Sequence, residues 1–584
     1  MKKTRITVLL LLALGLCTPL AAQENESVIL RAMQDELTRN MEKLTIEKMS
    51  PPFFISYTVA DERRARIVGV AGGITDFDTT HARTHDVRVL VGDYQQTQEL
   101  YQSMNFGASM YGRGSGMALD DDYDAIRRDL WLSTDRAYKN AVETLEKKRA
   151  AVKQQQISDE MKSLPDFARA EPLQLRQDHV PITCDIAGWK DHVAMLSRIF
   201  LEFPDISVSN VTFSLTDETR YFISSEGSRI STPRQLVAVM ATASAQAEDG
   251  EVLSDFVLHL AVAPEDLPGI ETIAGDIRAM AGTLTERRTA TRMNGTYTGP
   301  VLFEDQAAAE LFVRLFLGDE GLLASRMPVL DGPLAALGSQ LQKRNLGEKM
   351  GRRVLPQEVS ISSTPKRAAF EATPLIGAYT VDAEGVPPAD ELTLIREGTV
   401  EALLANRTPT LYTSASTGHH CPGLGSFAIS SGAIAPGVLD VFVSEGPTAE
   451  AMKTELLERA RDEGLEYAYI VRRIRPETVP APPVDTDLSA TFSMFGRNPG
   501  EASAPLGDVV AIYRVATADG SEELMRNIEV LKPGSSPLRR CLASRDRAAW
   551  NSTMAGSSSI PGMGAIISIG SSMSGGLSGI PTSV

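Results

Sequence analysis

Three observations predict an α+β fold. Apolar residues recur at helical spacing near 26–45, 120–155 and 264–288, alternating apolar residues between these stretches mark strands, and beyond about residue 290 the chain becomes richer in strands, glycine and proline. They imply an N-terminal α/β domain over residues 23–290, with a helical insertion at about 101–173, followed by a β-rich C-terminal domain over 291–584. At 584 residues the chain is too long for one ordinary core.

The first 22 residues read as an export signal. Lys2, Lys3 and Arg5 precede an apolar run, Ile6 to Leu16, with a cleavage site expected near Ala22. The run is too short to span a bilayer, and Leu16 before Cys17 argues against lipidation. The expected address is periplasmic or secreted. Cleavage would leave Cys184, Cys421 and Cys541, too few for disulfides to organise the fold.

Along the mature chain, Leu30, Met33, Leu37, Met41 and Leu44 predict an amphipathic helix. Strands are expected at Phe53–Val59 and around Val87, Val89 and Val91. Residues 101–119 read as a Gly/Ser/Met loop. The acidic run Asp120–Asp124 then leads a helix to about Gln155, with Ile126, Leu130, Ala137, Ala141 and Leu145 on one face. That run lacks the central glycine and distal glutamate of a calcium loop, and acidic residues suit a helix start. Val211, Phe213 and Leu215, a turn at Asp217-Glu218, then Tyr221 and Ile223 read as one hairpin. Leu236–Gln246, Asp249-Gly250 and Phe256–Val262 read as another. A helix over 264–288 ends the half near Ala290.

In the second half, Ala308, Leu311, Phe312, Leu315 and Phe316 share a helical face after a strand-like entry at Gly295. Leu392 to Leu403 reads as a hairpin turning at Glu397-Gly398. Val438–Val443 is a strand, Ala449–Glu463 a helix, and Glu466–Ile474 a strand. Pro476–Pro505 reads as an exposed loop, and composition leaves the Ser/Gly/Met tail from Ser552 open between a flexible tail and close-packed strands. Composition is globular, with 43% hydrophobic and 23% charged residues, and a net charge of −17 argues against a nucleic-acid groove.

Several segments in order resemble the TldD/PmbA (TldE) family, the modulator of DNA gyrase proteins. They are Ser224-Ser225-Glu226-Gly227, Thr298 to Glu304 with Ala307 to Leu311, Tyr379 to Pro387, the hairpin Leu394–Leu404, and Ser416-Thr417-Gly418. The resemblance implies a C-terminal domain of curled sheets. It also implies, in TldD subunits, a His-Glu-x-x-x-His helix that holds zinc with a late cysteine and hydrolyses peptides. TldE/PmbA subunits lack that motif and close a shared cavity around unfolded peptide. Here the matching helix places Val313, Arg314 and Gly318 at the His, Glu and His positions. Neither valine nor glycine offers a side-chain ligand. Arg314, four residues after Glu310, is expected to form a surface ion pair. The late cysteine has no counterpart in Ser572–Val584, and the sequence stops at Ile580–Val584, where the resemblance leads one to expect one more strand.

Other candidates are weaker. His419-His420-Cys421 is the one His/Cys cluster, but consecutive residues on a strand cannot all face one ion. His81 and His85 share a strand face and read as exposed histidines. Asp382 and Glu384 could do acid–base work or build a turn, with the turn favoured. Gly112 to Gly116 lacks the strand and helix of a phosphate loop. The reading that follows is an exported, non-catalytic TldE-like subunit with no cofactor of its own. It would pair with a TldD-like zinc metalloprotease that acts on unfolded peptides. The alternatives are a divergent metallopeptidase using His419, His420 and Cys421, or a binding or structural protein of the cell envelope.

Overall fold

The computed structural model describes residues 27–47, 49–103, 115–154, 158–318, 321–332, 345–423, 432–480, 506–554 and 580–584. The signal segment, most of the Gly/Ser/Met loop, nearly all of Pro476–Pro505 and most of the tail lie outside them.

The chain is α+β. Its N-terminal half is built on one antiparallel sheet of very long strands: β1 (Pro52–Val70), β2 (Gly73–Val91), β3 (Ile206–Ser224), β4 (Arg229–Gln246) and β5 (Val252–Ala261), paired in the order β2-β1-β3-β4-β5. Three strands run 18 or 19 residues, and β2 matches them. The expected turn at Asp217-Glu218 does not exist. β3 runs straight through, with Glu218 opposite Glu62 on β1 and Arg234 on β4. The chain reverses at Ser225–Ser228 instead, where the Gly227 amide donates to the Ser224 carbonyl at 2.9 Å. The charged stretch Asp61–Arg66 lies inside β1, which extends beyond the expected Phe53–Val59 strand.

Side chains alternate across a strand, so this sheet has two unlike faces. The odd positions of β1 (Ile55, Tyr57, Val59, Ala65, Ile67) are buried under four helices: α1 (Val28–Lys43), α2 (Tyr123–Gln154), α3 (Ile186–Arg198) and α4 (Ile270–Arg287). α1 and α2 cover one end, where Met33, Leu37, Ile126, Leu130 and Leu145 meet Tyr57 and Val59. α3 and α4 cover the other, where Val193, Leu196, Ile273, Ile277 and Met280 meet Ile67, Phe213 and Val239. The amphipathic stripes thus dock where period 3.6 meets period 2. At the α2 entry, Asp122 Oδ1 accepts from the Ala125 amide at 2.8 Å and Asp121 pairs with Arg83. The acidic run is a helix start.

The second half has shorter strands: β6 (Val301–Phe303), β7 (Val359–Ser363), β8 (Leu392–Arg396), β9 (His420–Cys421), β10 (Leu439–Val443), β11 (Tyr467–Ile474), β12 (Val509–Ala516) and β13 (Glu522–Arg526), with helices α5 (Asp305–Phe316) and α6 (Ala449–Asp462). β6-β11-β12-β13 belong to one open sheet, and β8-β7-β10 to another. Ile580–Ser583 is itself a strand paired with Asn551–Met554. Among the described residues no helix is long and apolar enough to cross a membrane. This half lies against the helix-free face of the long sheet. Ile376, Val479 and Val510 pack on Leu236, Met240 and Phe256, and Val381 packs on Phe222 and Ile230.

Candidate functional site

α5 shows what became of the position where a metal helix is expected. Its most buried residues are Gln306, Ala307, Glu310, Val313 and Phe316, a face that keeps Phe316 but is otherwise rotated from the stripe expected at Ala308, Leu311, Phe312, Leu315 and Phe316. The rotation follows from packing on two sides. Phe312 and Leu315 touch the core of the four-stranded sheet, while Ala307 and Leu311 touch that of β11 and β12. Gln306 bridges helix to sheet by exchanging two 2.8 Å bonds with the backbone of Ile474.

Arg314 does pair with Glu310, at 2.7 Å, but not on the surface: their side chains are 11% and 3% exposed. The Glu477 carboxylate at 2.6 Å and the Arg475 carbonyl at 2.8 Å enclose the guanidinium. Burial pushes the Glu310 carboxyl upward, against the pull of Arg314. Val313 is packed in the core, and a Cβ added at Gly318 would lie 2.9 Å from the Arg314 carbonyl. These residues do not fit zinc: two have no side-chain donor and the third is a cation already bound by carboxylates.

The His419-His420-Cys421 triplet is divided by its strand. His419 is buried between the Ser363 hydroxyl (2.9 Å) and the Thr417 hydroxyl (2.9 Å), and burial lowers its pKa to about 4. Cys421 is buried on Tyr379's side, donates to the Ala435 carbonyl at 3.3 Å, and is pushed up to about 12 by burial. Such a thiol is unreactive. His420 has Glu384, Arg88 and Arg220 as its electrostatic neighbours. Among the described residues no group of three His, Cys, Asp or Glu side chains is placed to hold a metal ion. His85 is also not exposed. It is buried beneath α2 with Nε2 2.7 Å from the Ser133 hydroxyl, whereas His81, farther along β2, pairs with Asp61 at 2.7 Å.

Two of the segments that carried the family resemblance, Ser224–Gly227 and Tyr379–Pro387, meet around one residue that sequence reasoning passed over, Arg407. It is among the largest fully buried side chains. Its guanidinium donates to the Ala168 carbonyl at 2.7 and 2.9 Å and to Glu226 at 2.8 Å, and stacks 3.9 Å from the Phe167 ring centroid. Glu226 is the acid of the Ser-Ser-Glu-Gly step, and it also accepts from the Tyr94 hydroxyl. Glu384 accepts from the Arg407 amide at 2.8 Å and from Arg88 at 2.7 Å. Burial opposes its charge, but His420, Arg88 and Arg407 outweigh that and hold it below the ordinary carboxylate range. Asp382 accepts from the amides of Glu384, Val386 and His420 at 2.9 to 3.1 Å, the pattern of a turn-builder. Burial and the Glu384 charge push its carboxyl upward. Gly385 closes the turn at φ +80°, where a Cβ would meet the Phe222 ring at 2.7 Å. A cavity of about 430 Å³, lined by Phe53, Asp93, Tyr94, Arg169, Ser225 and Glu226, opens beside this clamp.

Between the even positions of β1, β3 and β4 and the segment Tyr379–Gly423 there is therefore a buried polar layer. Glu62, Glu218 and Arg220 belong to it, each at most 7% exposed. Hydropathy could not signal it, since charged residues in a strand read as loop. The two-residue spacing of Glu62 with Arg64 and of Glu218 with Arg220 was the available sign.

Comparison with known proteins agrees with this architecture. Residues 294–509 match the PmbA/TldA metallopeptidase C-terminal domain. The crystal structure of TldE from Thermococcus kodakarensis is similar at 13% identity, with 90% of this chain and 95% of that chain covered and a TM-score of 0.50. Candidate gyrase modulators from Bacteroides thetaiotaomicron (11% identity, 92% and 97% covered, TM-score 0.49) and Thermotoga maritima (14%, 77% and 84%, 0.47) also align. No curated protein matches the chain. The chain thus carries a PmbA/TldA metallopeptidase C-terminal domain over residues 294–509 and shares the fold of TldE.

Proposed function

We propose that the chain is an exported, non-catalytic, TldE-like subunit. It pairs with a TldD-like zinc metalloprotease and helps to hold unfolded peptide in a shared cavity. The observation that carries this reading is α5. Its Val313 and Gly318 have no ligand atom, and its Arg314 is tied to Glu310 and Glu477. The helix keeps its place in the core while the hydrolytic zinc belongs to the partner. The division of His419 from His420 by β9 speaks against a divergent metal centre in this chain. Export is supported by the charged and apolar character of the first 22 residues.

The test is native co-purification from the periplasmic fraction followed by metal analysis. The expected result is a stable companion carrying His-Glu-x-x-x-His, with zinc stoichiometric to that companion. Zinc bound to this chain alone, and lost on His420→Ala, would instead establish the divergent metallopeptidase. Recovery of the chain by itself from the cell envelope would favour a binding protein.

A further inference from the structure

The polar layer holds donors without a partner among the described residues. Arg220 lies on β3 diagonal to Arg234 on β4, since Glu218 is opposite Arg234 and Arg220 opposite Thr232. Diagonal neighbours in a sheet are within reach of long side chains. β9 passes over both. Arg234 Nη1 donates to the Gly423 carbonyl at 2.8 Å, and His420 faces Arg220 and Arg88.

Arg220 is 7% exposed, and its Nε is held by Glu218 at 3.0 Å, but its Nη1 has no partner. His420 Nδ1 is buried without a partner as well. The ring's other nitrogen is crowded by the backbone, where a Cβ at Gly432 would lie 2.5 Å from Nε2. Among the described residues Arg234 has no carboxylate within ion-pairing distance, while Arg88 is neutralised by Glu99 and Glu384. Burial and the charge of Arg220 lower the Arg234 guanidinium to about 10, the response of a cation short of an anion. Unsatisfied buried groups in a native fold call for a water, an ion or a ligand. Arg220 and Arg234 are donors only, and a neutral imidazole can donate through Nδ1.

We propose that Arg220, Arg234 and His420 form an oxyanion-binding site on the helix-free face of the sheet, suited to a carboxylate or a small free oxyanion. Resting on the peptide-holding reading above, the carboxylate is the C-terminus of an extended peptide. Two guanidinium groups and a ring N–H give charge-assisted bonds to such a group.

The experiment has two arms on the full purified chain. In the first, inorganic phosphate is compared with chloride at matched ionic strength by thermal melting. A rise of several degrees is expected in the wild type. It should be reduced by at least half in Arg220→Gln and in Arg234→Gln. No phosphate-specific rise in the wild type overturns the site, whether or not the variants fold. An undiminished rise in two folded variants does so too.

In the second arm, one unstructured peptide is titrated as its free acid and as its C-terminal amide. Binding at least about tenfold tighter as the acid, with the difference lost in Arg220→Gln, assigns the site to peptide termini. Equal binding of both forms alongside the phosphate rise assigns it to a free oxyanion and leaves the peptide-holding reading intact. No binding of either form alongside the phosphate rise refutes that reading and keeps the oxyanion site.

Discussion

The two faces of the long sheet are built by opposite means. The helix-covered face is apolar: Ile67, Phe213 and Val239 are fully buried against α3 and α4. The other face carries Glu62, Glu218, Arg220 and Arg234, and it is buried too, by the C-terminal half. One face is a core and the other an internal surface. An apolar face needs only complementary volume, whereas a charged one needs specific partners, some two residues away on the same strand and others from distant parts of the chain. Arg407 illustrates the second case, with partners near residues 168, 226 and 384.

That contrast can be broken most sharply at Arg407 and Phe213. Arg407→Met removes one member of a buried pair and is expected to cost about 3–5 kcal/mol in denaturant unfolding. Phe213→Ala should cost a similar ~3–5 kcal/mol by leaving a cavity. The difference lies in rescue. Adding Glu226→Gln to Arg407→Met should recover part of the loss, because the stranded carboxylate is gone. No second polar change rescues Phe213→Ala. If the double variant is as unstable as Arg407→Met, the clamp is packing rather than charge.

A second contrast concerns acid. His419 is buried, and its pKa is lowered from 6.5 to about 4. A depressed folded-state value means that the unfolded chain binds the proton first. The stability contribution is thus full above pH 6.5 and is lost as pH falls toward 4. His419→Asn should flatten stability across that window by on the order of 2 kcal/mol relative to the wild type. An unchanged pH profile would show that His419 is not held neutral.

Smaller effects are expected at the junctions. Arg314→Ala should cost roughly 1–3 kcal/mol by leaving Glu310 buried and unpaired, and Glu310→Gln should recover part of it. Gly385→Ala, by forcing the Asp382–Val386 turn off Phe222, should loosen the contact between the halves. Faster amide exchange at Asp382–Val386 is its expected sign, with the α3 and α4 helices unaffected.

The helix-covered face was readable in the sequence because its residues obey two clean periods. Leu30, Met33 and Leu37, or Ile126 and Leu130, declare their face without any knowledge of the partner. The helix-free face was not, because Glu218 carries turn chemistry in isolation yet stays in the strand beside Arg220. Its neighbour Asp217, on the helix-covered side, is held by Ile182 and Gln235. The same reason explains the rotated face of α5, which packs on two cores rather than one. Local pattern reports burial against water. It does not report burial against another charged surface of the same chain.

The central claim is that α5 keeps the scaffold while the chemistry belongs to a partner. The most direct measurement is hydrolysis of an unstructured peptide by the purified chain, alone and mixed with a TldD-like subunit bearing His-Glu-x-x-x-His. The account predicts no turnover by the chain alone and chelator-sensitive turnover with the partner. Chelator-sensitive hydrolysis by the chain alone would contradict it.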